Sequence, residues 1–388
     1  MNLREPLALL GGLSPAAFMR DYWQKRPLLI RQAVPVSSSG ALSPVTPAEL
    51  FALAARDDVE SRLVVQQSAA VVRRRAASPA GGWRLRHGPF ARRALPPLRQ
   101  PDWTLLVQGV DLHVQAAHEL LQRFRWVPDA RVDDLMISYA SHGGGVGPHI
   151  DSYDVFLLQV HGRRHWRVGP VDDPSFVEGL PVRILERFEP TMDWVLEPGD
   201  MLYVPPRWGH DGVAEDECMT CSIGYRTPMP TELARELLQR VIDDVESDGD
   251  EVHYRDPAGS ATATPARMPA ALDAFARKAV DRLLRDPAQL ARALGEVTTE
   301  PKPRVWFESG PERDPARGLR LDRRTRMMYD DRHVFINGES FRAAGRDARL
   351  MRELADARCL DAITCTRLST DARAIVEDWV EQGWAHDD

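Results

Sequence analysis

The sequence predicts a mainly β core flanked by helices, followed by a helical region and a small α+β module. Two observations carry this. From Asp133 onward the chain runs through short β-type segments broken by Gly and Pro, namely DLMISYA, GGGVGPHID, DVFLLQV, HWRVG, DWVLEPGD, MLYVPP and MTCSIGYR. Short strands at such close spacing are the pattern of a barrel or sandwich. Beyond Arg226 this texture stops and amphipathic helical spacing takes over. At 388 residues the chain exceeds the size at which one hydrophobic core keeps growing, so two or three domains are expected. The boundaries are 1–228 for the β core with its N-terminal elements, 229–298 for the helical region and 299–388 for the last module.

In chain order, Ser14 caps a helical pattern in SPAAFMRDYWQKRPLLIRQ, and the apolar run after Pro27 reads as a strand. Val36 to Pro47 reads as a loop, and Thr46 opens a short helix reaching Arg56. A second helical pattern spans Trp103 to Arg125. After the β segments, Thr227-Pro228-Met229-Pro230 introduces a helix with Leu233, Leu237, Leu238, Val241 and Ile242 on one face. Another amphipathic stretch carries Leu272, Phe275, Val280, Leu283 and Leu284. Two helices without a large core of their own pack either on a second copy of the chain, making a homodimer, or back on the β core. The tail holds a hairpin signal, MMYDDRHVFINGESF, and a last helix opened by Ser369 with Ile375, Val376 and Trp379 facing inward. Helices around a small β-ribbon suggest a winged-helix-like module.

The formal net charge of −7 disfavours a chain that coats nucleic acid and is compatible with a basic protein partner. Charge is uneven: Arg73, Arg74, Arg75, Arg84, Arg86, Arg92 and Arg93 crowd one region, and Asp243, Asp244, Glu246, Asp248, Asp250 and Glu251 form a later acidic run. No apolar run is long enough to span a bilayer, and the opening MNLREP lacks a basic-then-apolar signal, so no membrane role and a cytoplasmic location are expected. Four cysteines are too few for a disulfide framework. Cys218 and Cys221 have CxxC spacing, but Cys359 and Cys365 do not supply the second pair that a closed zinc site needs.

The chemistry concentrates in two segments. Gly143-Gly144-Gly145-Val146-Gly147-Pro148-His149-Ile150-Asp151 puts an imidazole and a carboxylate two apart in a β-like run, where positions i and i+2 share a face. Downstream, Glu197 to His210 contains a turn, a buried strand and a histidine just after it. Two histidines and one carboxylate leave open positions on a metal, the arrangement non-haem Fe(II) oxygenases use. The competing reading is a metal-free barrel whose histidines are satisfied core groups. Between the segments, an inward guanidinium could pair bidentately with a dicarboxylic cosubstrate. Strand parity places Arg164 with Trp166 and opposite to Arg163 and His165, with Arg163 as the alternative. His142, His161 and His165 flank turns and are not counted as ligands.

The segments DYWQKRPLLI, WRLRHGPF, DDLMISYASHGGGVGPHIDSYDVFLLQVHGRRHWRVG and LEPGDMLYVPPRWGHDG together resemble the JmjC-type bacterial ribosomal oxygenases, which share the double-stranded β-helix of the cupin superfamily. The resemblance covers most of residues 15–230. It implies that His149, Asp151 and His210 bind Fe(II), that Arg164 takes the distal carboxylate of 2-oxoglutarate, and that O2 is consumed. The implied reaction is 3-hydroxylation of an arginine side chain in a large-subunit ribosomal protein, the sixteenth. It further implies a dimerising helical region and a C-terminal winged-helix-like domain. Ala140 stands where such proteins can offer a cosubstrate-binding hydroxyl, with Ser138, Ser141 and Thr220 as possible substitutes. Two alternatives stay open: an oxygenase of the same barrel acting on another residue, as a histidyl hydroxylase or lysyl demethylase, and a non-catalytic ribosome-binding cupin. A DNA-reading regulator would need a basic recognition helix, whereas Ser369 to Trp384 carries Asp371, Glu377, Asp378 and Glu381, so direct nucleic-acid binding is not expected.

Overall fold

The computed structural model describes residues 2–36, 42–66, 82–243, 253–255 and 264–388. Arg73, Arg74 and Arg75, and the acidic run from Asp244 to Glu251, lie outside the described residues. The chain divides into two compact units, Met1–Thr227 and Pro228–Asp388.

Among the described residues the first unit holds eleven strands: β1 Leu28–Ile30, β2 Ser61–Gln66, β3 Trp83–His87, β4 Trp103–Val107, β5 Val132–Ala140, β6 Val155–His161, β7 Arg164–Pro170, β8 Met192–Leu196, β9 Met201–Val204, β10 Trp208–Ala214 and β11 Cys218–Tyr225. Eight of them pair in the order β1-β9-β6-β11-β5-β4-β2-β3, and β10-β7-β8 form a second sheet. Its helices α1 (Pro15–Asp21) and α2 (Pro47–Leu53) start where their caps dictate. Ser14 Oγ accepts from the Ala17 N–H at 3.2 Å, and Thr46 with Glu49 closes a reciprocal capping box. Helix α3 is shorter than the pattern from Trp103 to Arg125 suggested, covering Gln115–Gln122, and Trp103–Val107 is instead β4. All five residues of β4 are buried, and a strand covered on both faces shows no alternation by which to tell it from a buried helix.

Period-two alternation then sorts the central strands. Leu135, Ile137 and Tyr139 of β5, Phe156 and Leu158 of β6, and Met219, Cys221, Ile223 and Tyr225 of β11 point into a large core shared with Phe18, Trp23 and Trp126. Val155 and Leu157 point the other way, against Trp166, Val168 and Leu196 of the small sheet. The same inner face carries Ser138, Thr220 and Ser222, with Ser138 opposite Thr220 in the ladder. A row of hydroxyls on a buried face marks a cleft rather than a core.

The outer core contains one buried polar knot. Tyr203 Oη donates to Asp154 Oδ1 at 2.6 Å and accepts the Gln24 N–H at 2.8 Å, and Arg131 reaches Asp154 Oδ2 at 3.4 Å. Tyr203→Phe leaves a buried carboxylate oxygen without its donor and takes the acceptor from the part-buried Gln24 N–H. It is expected to lower unfolding free energy by about 2–3 kcal/mol in urea titration. An unchanged midpoint would show that the knot adds nothing to stability.

The second unit contains α4 (Pro230–Asp243), α5 (Ala270–Leu283) and α6 (Pro287–Thr299), then β12 (Leu319–Leu321), β13 (Met327–Tyr329), β14 (His333–Ile336), β15 (Glu339–Arg342), α7 (Gly345–Ala357), β16 (Cys359–Leu360), α8 (Ala362–Cys365), α9 (Thr370–Glu381) and β17 (Ala385–Asp387). The hairpin signal becomes a three-stranded meander, β13-β14-β15. Ser369 caps α9 through its Oγ, and Val376 and Trp379 enter a core with Leu319, Ile336 and Leu354. Only Val241 of α4 is buried and no residue of α5 is.

Candidate active site

His149 and Asp151 do not lie in a continuous strand. The Gly-rich segment is tied to β10 at both ends: Gly143 N–H donates to the Ala214 carbonyl at 2.8 Å and Ala214 N–H to the Gly144 carbonyl at 2.9 Å, and at an isolated bridge His149 N–H donates to the His210 carbonyl at 3.0 Å and His210 N–H returns a bond of 2.9 Å. Asp151 is held next by its carbonyl, which accepts the Arg207 N–H at 2.9 Å. The bridge, rather than strand parity alone, brings the triad together. Gly147 enters this turn at a φ of +79°, where an L side chain is strained, and a Cβ there would meet Ile184 Cδ1 at 2.9 Å. His210 sits inside β10, not just after a strand as its sequence position suggested.

Among the described residues, His149, Asp151 and His210 form the one metal-capable cluster, their ligand atoms all within 4.8 Å of one another. Each imidazole has its Nδ1 committed, His149 to the Gly147 carbonyl at 2.9 Å and His210 to the Trp208 carbonyl at 3.1 Å. Donation from Nδ1 leaves both Nε2 atoms toward Asp151, 4.0 Å away for His149 and 3.5 Å for His210. Burial, with the neighbouring His210 charge, pushes the His149 imidazole down to about 4, so its lone pair is free at neutral pH. Burial also works against charge on Asp151 and His210. It is the largest single influence on each, and the attraction between the two groups together with the smaller hydrogen bonds around them outweighs it, lowering the carboxyl and raising the imidazole. Two neutral-capable nitrogens and one carboxylate on one side of an open cleft fit Fe(II).

That cleft, about 720 Å³, opens between the sheets and is lined by the triad together with Thr104, Ser138, Tyr153, Arg164, Trp166 and Thr220. Arg164 is 3% exposed. It donates from Nη1 to Ser138 Oγ at 3.1 Å and Thr220 Oγ1 at 3.5 Å, and from Nη2 to the Gly212 carbonyl at 3.1 Å. Thr220 in turn donates to Gln159 Oε1 at 2.9 Å, which fixes its lone pair toward the arginine. No carboxylate of the described residues pairs with Arg164, and burial holds its guanidinium below its ordinary value. Arg163 is outside, paired with Asp216 and Glu215 at 3.0 and 3.2 Å, so parity chose correctly between the two positions.

The other candidates separate. Ser141 is turned to the backbone of Trp103, which leaves Ser138 and Thr220 as the hydroxyls on the cleft face beside Ala140. His165 engages Asp193 at 2.6 Å, His142 the Glu215 carbonyl at 2.7 Å, and His161 is exposed. Cys218 and Cys221 are buried free thiols. Sequence reasoning missed Tyr153, which lines the cleft beside Asp151, and Gly212, which borders Arg164. Tyr153 could have been noticed two residues beyond Asp151, whereas only the β7–β10 register reveals Gly212.

A barrel of two facing sheets with this triad at the mouth and a lone buried arginine inside defines a JmjC-type oxygenase. Residues 119–233 match the JmjC domain and residues 282–386 the ROXA-like winged helix. The chain is 36% identical over 291 residues to the ribosomal protein uL16 3-hydroxylase of Escherichia coli K12, covering 73% of this chain and 70% of that protein. It is 37% identical over 219 residues to a probable ribosomal oxygenase of Haemophilus influenzae, covering 56% of this chain and 50% of that one. The crystal structure of E. coli ycfD superposes with a TM-score of 0.80 at 29% identity, over 97% of this chain and 98% of that chain. Its complex with cobalt and 2-oxoglutarate superposes with a TM-score of 0.76 at 30% identity, over 96% and 98%. The chain belongs to the JmjC-type bacterial ribosomal oxygenases, and it is a 2-oxoglutarate-dependent dioxygenase. Among the described residues, no helix is long and apolar enough to cross a membrane.

Proposed function

We propose that this enzyme hydroxylates an arginine side chain of a large-subunit ribosomal protein, using Fe(II), 2-oxoglutarate and O2. The observation that carries the reading is a buried guanidinium with only neutral partners facing the same cleft as the His149, Asp151 and His210 donor set. The relatives, one named as a ribosomal protein uL16 3-hydroxylase and one as a probable ribosomal oxygenase, support the substrate class. When bound, iron with 2-oxoglutarate and O2 supplies an oxidation that couples loss of carbon dioxide from the cosubstrate to insertion of one oxygen atom into a C–H bond.

The chain's own residues do the positioning. His149, Asp151 and His210 hold the metal on one side, and the two carbonyl-anchored Nδ1 atoms keep the rings from turning. Arg164 takes the far carboxylate of 2-oxoglutarate, with Ser138 and Thr220 supplying the hydroxyls that Ala140 lacks. Strands β4, β5, β6 and β11 wall the inner end of the cleft. A Cβ on Gly212 would lie 2.7 Å from the Trp166 ring and 2.9 Å from Arg164 Nε. Gly212→Ala is therefore expected to raise KM for 2-oxoglutarate roughly 10- to 100-fold while metal affinity stays near wild type, measured by succinate release and metal titration. Equal KM values would separate Gly212 from the cosubstrate pocket.

In this reading the chain keeps the division 1–228 for catalysis, 229–298 for dimerisation and 299–388 for the winged-helix-like domain. The exposed Leu238, Ile242, Phe275 and Val280 supply the apolar surface of a homodimer in the cytoplasm. The deciding experiment incubates the protein with Fe(II), ascorbate, 2-oxoglutarate and total ribosomal protein, and reads oxygen gain by mass spectrometry. One oxygen on an arginine of a large-subunit protein is expected. Oxygen on a histidine instead, or a demethylated lysine, would transfer the chain to the neighbouring activities of the same barrel.

A further inference from the structure

We propose that the second unit carries a binding cleft for a nucleic-acid phosphodiester backbone, built on β14, β15 and α7. Two adjoining depressions there share Arg332 and Arg342. One is completed by Arg292 and His333, the other by Arg349 and Arg352. Across both, five arginines stand with Asp286 and Asp331 in a chain whose net charge is −7; Glu296 answers Arg292 at 3.6 Å and Asp330 lies 3.3 Å from His333, which leaves Arg332, Arg342 and Arg349 as the cationic excess. Asp286 spends one oxygen on the Ala288 N–H at the start of α6.

Six arginines elsewhere in the chain, Arg31, Arg125, Arg163, Arg167, Arg226 and Arg324, each reach a carboxylate within 4 Å. Arg332, Arg342 and Arg349 are exposed, and no carboxylate of the described residues pairs with their side chains. Arg352 is aimed by its Nη2, which donates to the Asp330 and Asp331 carbonyls at 3.0 and 3.1 Å. Guanidinia left together without counter-charges repel one another, and a repeated anion relieves that repulsion.

The lining decides between an acidic protein and a nucleic acid. Besides these charges it offers Ala343, Ala344, Gly345 and Ala348 and no large apolar side chain. A protein interface of useful affinity needs buried aromatic or aliphatic anchors, whereas phosphate contacts draw their energy from counterion release and need none. The expectation against nucleic acid rested on the net charge of −7 and on the acidic residues of α9, whereas this cleft lies on other elements and gathers its arginines locally.

The test is fluorescence anisotropy on the full-length protein, with a labelled oligouridylate of about 20 nucleotides, a DNA duplex of similar length, and polyglutamate as the acidic-peptide control. Engaging about three phosphates should weaken oligouridylate binding about twentyfold between about 50 and about 200 mM salt. The triple variant Arg332→Ala, Arg342→Ala, Arg349→Ala should lose at least about tenfold in affinity. The matching Arg→Lys triple should retain binding, and a melting curve confirms that both fold. A preference for RNA or for duplex DNA identifies the source of the backbone and supports the proposal. Equal affinity for polyglutamate, no binding at about 50 mM salt, or an undiminished alanine variant overturns it. Binding requires no turnover, so the outcome is independent of the hydroxylation assay.

Discussion

Asp151→Ala is expected to abolish metal loading at the candidate centre and to cut succinate formation roughly a thousandfold or more, a barrier increase of about 4 kcal/mol. The Asp151 carboxylate is the one anionic donor of the triad, and it stands 3.5 Å from His210 Nε2, near enough for both to reach one ion. Removing it leaves two neutral nitrogens whose ring centroids stand 4.2 Å apart, a pair that binds a hard divalent ion weakly. Calorimetric titration with Co(II) as probe, beside succinate release, reads both effects. His149→Ala should behave alike, because the Gly147 carbonyl then loses the ring it holds. Turnover within tenfold of wild type in either variant would place the metal elsewhere.

The second large effect has opposite signs for stability and for function. Arg164 is a charge buried among neutral partners, so its desolvation is not repaid until an anion arrives. Arg164→Met keeps the volume and discards the charge. The ligand-free variant is therefore expected to melt no lower than wild type, while KM for 2-oxoglutarate rises about a hundredfold, about 3 kcal/mol. Wild-type protein should melt higher as 2-oxoglutarate is added, and the variant should show no such rise. Scanning fluorimetry with and without 2-oxoglutarate checks both signs. A variant that melts several degrees lower yet still responds to 2-oxoglutarate would make Arg164 a structural residue.

The His149-x-Asp151 pair and the inward side of Arg164 were legible because both rest on local rules. A His-x-Asp pair needs only two residues between neighbouring turns, and alternation along β7 assigns Arg164 and Trp166 to one face whatever the strand pairs with. The caps Ser14, Thr46 and Ser369 were legible for the same reason, since each bond closes within three residues. β4 was not, because burial on both faces erases the period that would identify it.

The sequence by itself thus determined the donor types, the helix starts and the parity of the central strands. Tertiary structure decided what stands across from what. The bridge that brings His149 to His210, the Ser138 and Thr220 hydroxyls under Arg164, and the unpaired Arg332, Arg342 and Arg349 all depend on register and packing between segments distant in the chain. That information is non-local. Pairing is set by the summed burial of both sheet faces, a quantity no single segment carries, and a side chain's counter-charge exists only once the fold has chosen its neighbours.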